Sequence, residues 1–463
     1  MPLAIPPKQP AIPHRHSSGS TRQRPSSGLK ARLFFNRYRQ RPATIFLIGL
    51  IARETAIFIG HTYRVSKLEG SFGFGWETGR IARSLALGQG FSSPFQPGTG
   101  PTAWLAPVYP YVLAEVFKVF GIYTTASGIA ILSINSVFSA LTIFPVFYIA
   151  RRTFCPRAAV WSAWLAAMLP YAWYWAIKWA WETSLATLLL ACVFLLALRM
   201  AELKWRGEHS VEIASSSGLK DWLLFGLGWG TIALTNPSLL LWLPFCGLWL
   251  LSRQLKAEGS LKPLRHAVAS GLLFTAVLTP WIARNYLVFH CFMPVRSNFG
   301  AELHMGNADG AVGLWRAWMH PGVNAVEFQR YKQLGELAYV KMNQSEALDF
   351  IRLHPGAFAT LCLRRAVYYW YGTLRDSGNV VLSEGRNIGY LLSSILAFAG
   401  LWAMWRNRNP ASFLYASLLF AVPLIYYVTF AYPRYRAPIE PEMLVLMVGL
   451  FLYAEPRARK SPE

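Results

Sequence analysis

The sequence predicts an all-α polytopic transmembrane helix bundle, and three observations carry that expectation. Of its 463 residues 54% are hydrophobic and only 14% charged, against about 25% charged in an average soluble domain. The apolar residues fall into about ten segments of spanning length, taking roughly 17–25 residues as a span. The cations collect in alternate loops, as the positive-inside rule requires. A net charge of +23 on so apolar a chain fits loops facing anionic lipid headgroups better than a nucleic-acid partner. The five cysteines show no CxxC or Cys/His ligand spacing, so no zinc site is expected. Cys291 and Cys362 share one loop and are within reach of pairing, but free thiols are the simpler expectation.

Residues 1–42 are rich in Pro, Ser, Arg and Lys, and read as a disordered basic tail on the cytoplasmic side. The tail is too long for a signal-peptide basic region, and no small-residue cleavage site follows the first apolar run. The expected spans are 44–62, 124–150, 158–177, 183–200, 221–236, 238–252, 267–285, 387–404, 411–431 and 438–454. Pro145, Pro170, Pro244, Pro280 and Pro423 lie inside them and predict kinks, tolerable where neighbours satisfy the freed carbonyls. Arg53 and Glu54 sit within the first span, where an ion pair is the simplest purpose for ionisable groups.

The topology turns on 107–120 (PVYPYVLAEVFKVF). As a helix it reaches about 21 Å, short of the roughly 30 Å hydrocarbon core, and it carries Glu115 and Lys118. Laid flat on the outer surface, it leaves Arg151, Arg152, Lys204, Arg206, Arg253, Lys256, Arg406 and Arg408 in cytoplasmic loops; as a span, it would put them all outside. The chain then divides into a transmembrane bundle over 43–285 containing the outer loop 63–123, an outer helical cap over 286–386, and C-terminal spans with a short tail over 387–463. Helical patterning is clearest in the cap near 328–352 and 355–372.

The outer face collects the chemistry. Glu77 stands beside Arg80 and Arg83 in WETGRIAR, where a carboxylate can take the proton of an acceptor hydroxyl or amine; the plain alternative is a surface pair with Arg80. Glu182 opens a helix at WAWET, as a second candidate that orients the acceptor or ligates a metal; the plain alternative is an acid favoured by the helix dipole. Arg434 and Arg436 in PRYRAP occupy a short outer turn that normally avoids cations, so a phosphate is a fitting partner; snorkelling to headgroups is the alternative. Arg284 and Asn285 raise the same argument at the end of another span. Asn298 and His304 follow just beyond as acceptor or lid candidates. Asn343-Gln344-Ser345 is a glycosylation sequon. No Walker loop, dinucleotide fingerprint, HExxH or nucleophile elbow is present.

Three stretches, ETGRIARSLALGQGF, PTAWLAPVYPYVLAEVFKVFG and the span ending ARRTF, resemble the membrane glycosyltransferases of the C fold class. These include the family 39-like protein O-mannosyltransferase and aminoarabinose-transferase groups; TPWIARNYLVF and PRYRAPIEP are similar to later segments of the same class. The resemblance runs from about residue 44 to 454. It implies transfer of a sugar from a polyprenyl-phosphate donor to a lipid, glycan or protein acceptor, by inversion, on the outer face of a bacterial inner membrane. It implies no organic cofactor and leaves a divalent metal open. A carboxylate of the first outer loop is the implied general base, which points to Glu77, with Glu182 in support. Arg434, Arg436, Arg284 and Arg80 are the implied donor-phosphate contacts. Relatives often carry an Asp early in this loop; GFGWET has none, so Glu69 stands as the alternative base. A lipid-linked saccharide flippase is the competing function, expected to show repeated halves, which this chain lacks.

Overall fold

The computed structural model describes residues 40–64, 72–206, 209–212, 217–373 and 380–454. Residues Met1–Arg41 separate from Pro42–Glu463 as a distinct unit; the expected tail 1–42, and Glu69, lie almost wholly outside the described residues. The second unit is helical apart from one two-stranded antiparallel hairpin, β1 (Leu203–Arg206) and β2 (His209–Glu212).

Among the described residues six helical stretches are long and apolar enough to cross a membrane: Pro42–Ile59, Thr125–Thr153, Thr183–Met200, Pro237–Glu258, Lys262–Phe289 and Gly385–Arg406. Four other expected spans are shorter or broken. In chain order the helices begin with α1 (Pro42–Ile59), then α2 (Glu77–Ala86) and α3 (Val108–Phe120), which pack on each other. Next come α4 (Thr125–Leu141), α5 (Ile143–Thr153), α6 (Pro156–Met168), α7 (Pro170–Lys178), α8 (Thr183–Met200), α9 (Leu219–Thr235), α10 (Leu243–Glu258) and α11 (Lys262–Phe289). The 286–386 region holds α12 (Phe299–Gly306), α13 (Ala325–Leu334), α14 (Glu336–Leu353) and α15 (Pro355–Tyr371). The chain closes with α16 (Val380–Arg406), α17 (Ser412–Ala421), α18 (Leu424–Val428) and α19 (Glu440–Ala454).

Proline decides where the expected spans break. Pro170 has no N–H to give Ala166, so 158–177 divides into α6 and α7. The exposed carbonyls are taken up by Arg53, which donates to Ala166 O at 3.0 Å, Ala167 O at 3.2 Å, Gly49 O at 2.8 Å and Ser139 Oγ at 3.1 Å. Arg53 is therefore a bracket between α1, α4 and α6 and not the partner of Glu54, which accepts from Ser133 Oγ instead. Burying a guanidinium this way is tolerable because every direction of its fork meets an acceptor. The main core lies between α5, α6, α8, α9, α10, α17 and α19, and a smaller one holds α2 and α3 against α4.

The same bracket recurs at the ends of other helices. Arg365 of α15 is fully buried and donates to Tyr427 O, Val428 O, Gly306 O and Asn307 Oδ1, closing the last turns of α18 and α12. A Cβ on Gly306 would lie 1.7 Å from Thr429 O, so only glycine permits that approach. The five cysteines are free, Cys291 and Cys362 included. Asn343 of the sequon is 1% exposed and donates to Tyr339 O within α14, so the folded chain presents no acceptor amide there.

Candidate active site

Residues of the 72–123 and 286–386 regions, together with segments around 170–182, 235–238 and 426–435, line a cavity of about 940 Å³. Its charged lining is three carboxylates, Glu77, Glu182 and Glu302, four cations, Lys178, Arg296, Arg386 and Arg434, and His320. Glu77, Glu182, Arg434 and Asn298 are thus the sequence-predicted residues that share this space.

Glu77 is the first residue of α2 and is held there by a constrained backbone. Gly75 and Trp76 both have positive φ, at 76° and 42°; for tryptophan that conformation is strained, a cost concentrated at functional sites. A Cβ at Gly75 would stand 2.5 Å from Ala180 O and 2.8 Å from the Trp181 ring, and Ala180 N–H donates to Gly73 O at 2.8 Å. This close approach brings the Glu77 turn against the segment that carries Glu182. One Glu77 oxygen is 2.9 Å from His320 Nε2. His320 Nδ1 accepts the Gly322 N–H at 3.1 Å, so Nε2 carries the proton and donates it to the carboxylate. Burial pushes the Glu77 carboxyl up, but the hydrogen bond and electrostatic influence of the His320 N–H, its own backbone and Arg80 together hold it below the usual carboxylate value. Phe95, Trp104, Trp315 and Trp76 ring His320 with centroids 5.5–6.5 Å away.

Glu182 occupies the cap position of α8 without capping it, which leaves its carboxylate for Arg434, Nη1 to Oε2 3.9 Å. The Arg434 guanidinium lies 4.0 Å over the Trp181 ring. Its Nη1 is buried without a hydrogen-bond partner among the described residues. Burial opposes its charge, but Glu182 and the tyrosines at 435 and 432 outweigh this and hold the proton more tightly than usual.

The remaining predicted residues take structural places. Arg436 does not reach the cavity. It is 1% exposed, pairs with Glu440 at 2.6 Å, and donates to Trp370 O, Tyr390 O, Ser393 and Ser394. Arg284 donates to Thr102 O at 2.7 Å and Phe91 O at 2.8 Å, stacked 4.9 Å from Trp281, and so fastens the 91–102 loop. Asn285 is buried and holds Met293 O and Val295 O. His304 pairs with Glu346 at 3.1 Å on the cap. Arg80 lies beside the Gly322 turn, 3.5 Å from where a Cβ there would stand, and acts on Glu77 by charge. Arg436, Arg284 and Asn285 thus meet chain carbonyls, and His304 a carboxylate of the protein itself.

Sequence reasoning passed over four groups. His320 lies in the long 286–386 region with no spacing signal linking it to Glu77. Glu302 and Arg296 are joined to Asn298 only by the turn into α12. Glu336 is buried and accepts from Thr102 Oγ1, Ala103 N at 2.8 Å, Ser297 Oγ at 2.7 Å and Tyr331 OH at 3.0 Å. It clasps the first loop to the cap over the cavity, and burial pushes its carboxyl up despite those four donors. Among the described residues no group of three or more His, Cys, Asp or Glu is placed to hold a metal.

No family model and no curated protein matches this chain. Solved structures do. Archaeal oligosaccharyltransferase AglB from Archaeoglobus fulgidus, in complex with an inhibitory peptide and a dolichol-phosphate, superposes at a TM-score of 0.51 with 14% identity, over 89% of this chain and 50% of that one. The same organism's oligosaccharyltransferase tethered to an acceptor peptide gives 0.50, 14%, 89% and 49%. ArnT from Cupriavidus metallidurans bound to undecaprenyl phosphate reaches only 0.40 at 13% identity, over 89% and 78%, and the fold assignment rests on the first two. The chain spans about half the length of those oligosaccharyltransferase structures. With six helices of spanning length and character, the chain is a polytopic integral membrane protein with the fold of the C-class membrane glycosyltransferases that its sequence resembles.

Proposed function

We propose that this chain is a membrane glycosyltransferase that moves a sugar from a polyprenyl-phosphate donor to a lipid, glycan or protein acceptor. The observation that carries the reading is the joint presence in one cavity of the histidine-held carboxylate Glu77 and the incompletely partnered guanidinium Arg434. An acceptor oxygen or nitrogen attacks the anomeric carbon as the bond from that carbon to the lipid phosphate oxygen breaks. The acceptor proton passes to Glu77, and the departing phosphate keeps the electron pair, its charge met by Arg434. A single displacement inverts the anomeric centre. Glu182 sets the Arg434 position and faces the acceptor side of the same space. A lipid-phosphate ligand is in keeping with the dolichol-phosphate held by the AglB structure.

The reading places 63–123 and 286–386 on the outer face, in a bacterial inner membrane on its periplasmic or extracellular side. Arg436, Arg284 and Arg80 support the site from behind, and Asn298 borders it. The flippase alternative gains nothing from a proton-accepting pair beside the phosphate contact. The deciding experiment is mass spectrometry of lipid-linked sugars and surface glycans in cells with and without the gene: the reading expects unused polyprenyl-phosphate sugar to accumulate and one glycan to disappear. Unchanged profiles in both pools would overturn it.

A further inference from the structure

The cavity contains a second carboxylate–guanidinium pair that the transfer step does not use. Glu302, in the first turn of α12, receives the Asn298 amide on Oε1 at 2.7 Å. Its other oxygen lies 3.6 Å from Arg296 Nη2, too far for a hydrogen bond, and accepts none among the described residues. Both side chains remain about one-quarter exposed, 24% and 25%, and both line the cavity. Arg296 is steadied by Ser238 Oγ at 3.3 Å. The result is a fixed acceptor oxygen beside a fixed donor, both open to the cavity and not satisfied by each other.

A sugar hydroxyl is a group that fits both halves, since one O–H donates to the carboxylate while its oxygen accepts from the guanidinium. The position relative to Arg434 argues for the donor sugar over the acceptor. Tyr426 and Tyr435 stack face to face at 4.3 Å and 12°. Both tyrosines line the same cavity as Arg434, Glu182, Arg296 and Glu302. The two pairs and the stack thus share one space, and a phosphate at Arg434 would leave its sugar in the cavity that Glu302 and Arg296 face. We infer that Glu302 and Arg296 form the subsite that reads a hydroxyl of the donor sugar, and so set which sugar is transferred. This rests on the glycosyltransferase reading and extends it to specificity.

The test is binding of two probes to the purified full chain in lipid nanodiscs: a synthetic short-chain prenyl phosphate, and panels of the same lipid carrying hexoses or pentoses and their single-deoxy analogues. The parent should prefer one sugar and discriminate sharply against one deoxy position, since a site built for a hydroxyl rejects its absence by up to about 10⁴-fold. Glu302→Gln should weaken the preferred prenyl-phosphate sugar at least about tenfold, erase the deoxy discrimination, and leave sugar-free prenyl phosphate unchanged. Glu346→Gln, outside the cavity beside His304, should change neither. Equal loss for both lipids, or retained deoxy discrimination in Glu302→Gln, would overturn the inference while the transferase reading stands. A parent that binds neither lipid would overturn the transferase reading, and the subsite with it.

Discussion

At the scale of the residue, His320 gives one nitrogen to its own chain and the other to Glu77, and that arrangement has a measurable consequence. Transfer requires Glu77 ionised, so activity falls as pH drops through its pKa. With that carboxyl held below its ordinary value of 4.5, the acid limb of kcat/KM should lie below 4.5. His320→Ala removes the two largest opposing influences and leaves burial in command, so the limb should move upward; a limb that stays put would detach His320 from Glu77. Arg434→Ala should weaken donor binding by about 1.5–3 kcal/mol, the worth of a charge-assisted hydrogen bond, with Lys rescuing only in part; titration with a prenyl-phosphate sugar measures it, and unchanged affinity would return Arg434 to a packing role. The sequence made Glu77, Glu182 and Arg434 visible because ionisable residues beside apolar spans stand out, and Asn298 only because it follows the end of a span. It could not separate Arg434 from Arg436 two positions on. One lies over Trp181 facing the cavity and the other is enclosed by carbonyls and Glu440, a difference made by the helical turn over Pro433–Ile439 and not by residue type.

At the scale of the element, helix ends explain where the buried and half-buried arginines go. Arg53, Arg284, Arg365 and Arg436 each collect backbone carbonyls where a helix stops or a loop folds back. Replacing Arg53 by Met should leave the Ala166 and Ala167 carbonyls unpaired at about 1–3 kcal/mol each, read as a lower unfolding temperature in detergent with unchanged donor affinity; an unshifted unfolding temperature would contradict the bracket. Gly75→Ala tests the contact that brings two site segments together. Its Cβ has no room against Ala180 O, and its φ of 76° is unfavourable, so transfer should fall even where the protein still inserts. Normal transfer would show that the Glu77 turn tolerates displacement. The six stretches of spanning length were legible as apolar runs in the sequence. The breaks at Pro170 and Pro423 were foreseen as kinks, but the donors that satisfy the freed carbonyls sit far along the chain, as Arg53 of α1 does for Ala166 and Ala167 of α6, and local periodicity carries no record of them.

At the scale of the whole molecule, the account requires the first loop and the cap to close over one cavity on one side of the membrane. Cysteines placed at the exposed positions Gln96 and Ser260 should therefore be labelled from opposite sides by an impermeant reagent; labelling from the same side would reverse the placement of α3. The architecture was readable because hydrophobicity is a property of segments. The closure was not, because the Glu336 clasp and the His320–Glu77 pair join parts of the chain that share no local pattern. The most direct test of the central claim is the turnover of Glu77→Gln in the reconstituted full chain, with Glu182→Gln beside it. The swap keeps the side chain's size and a hydrogen-bond acceptor for His320 while removing the basic oxygen. Donor affinity should therefore hold, and the rate should fall by about 10²–10⁴-fold. Sugar transfer by Glu77→Gln at the parental rate would contradict the account.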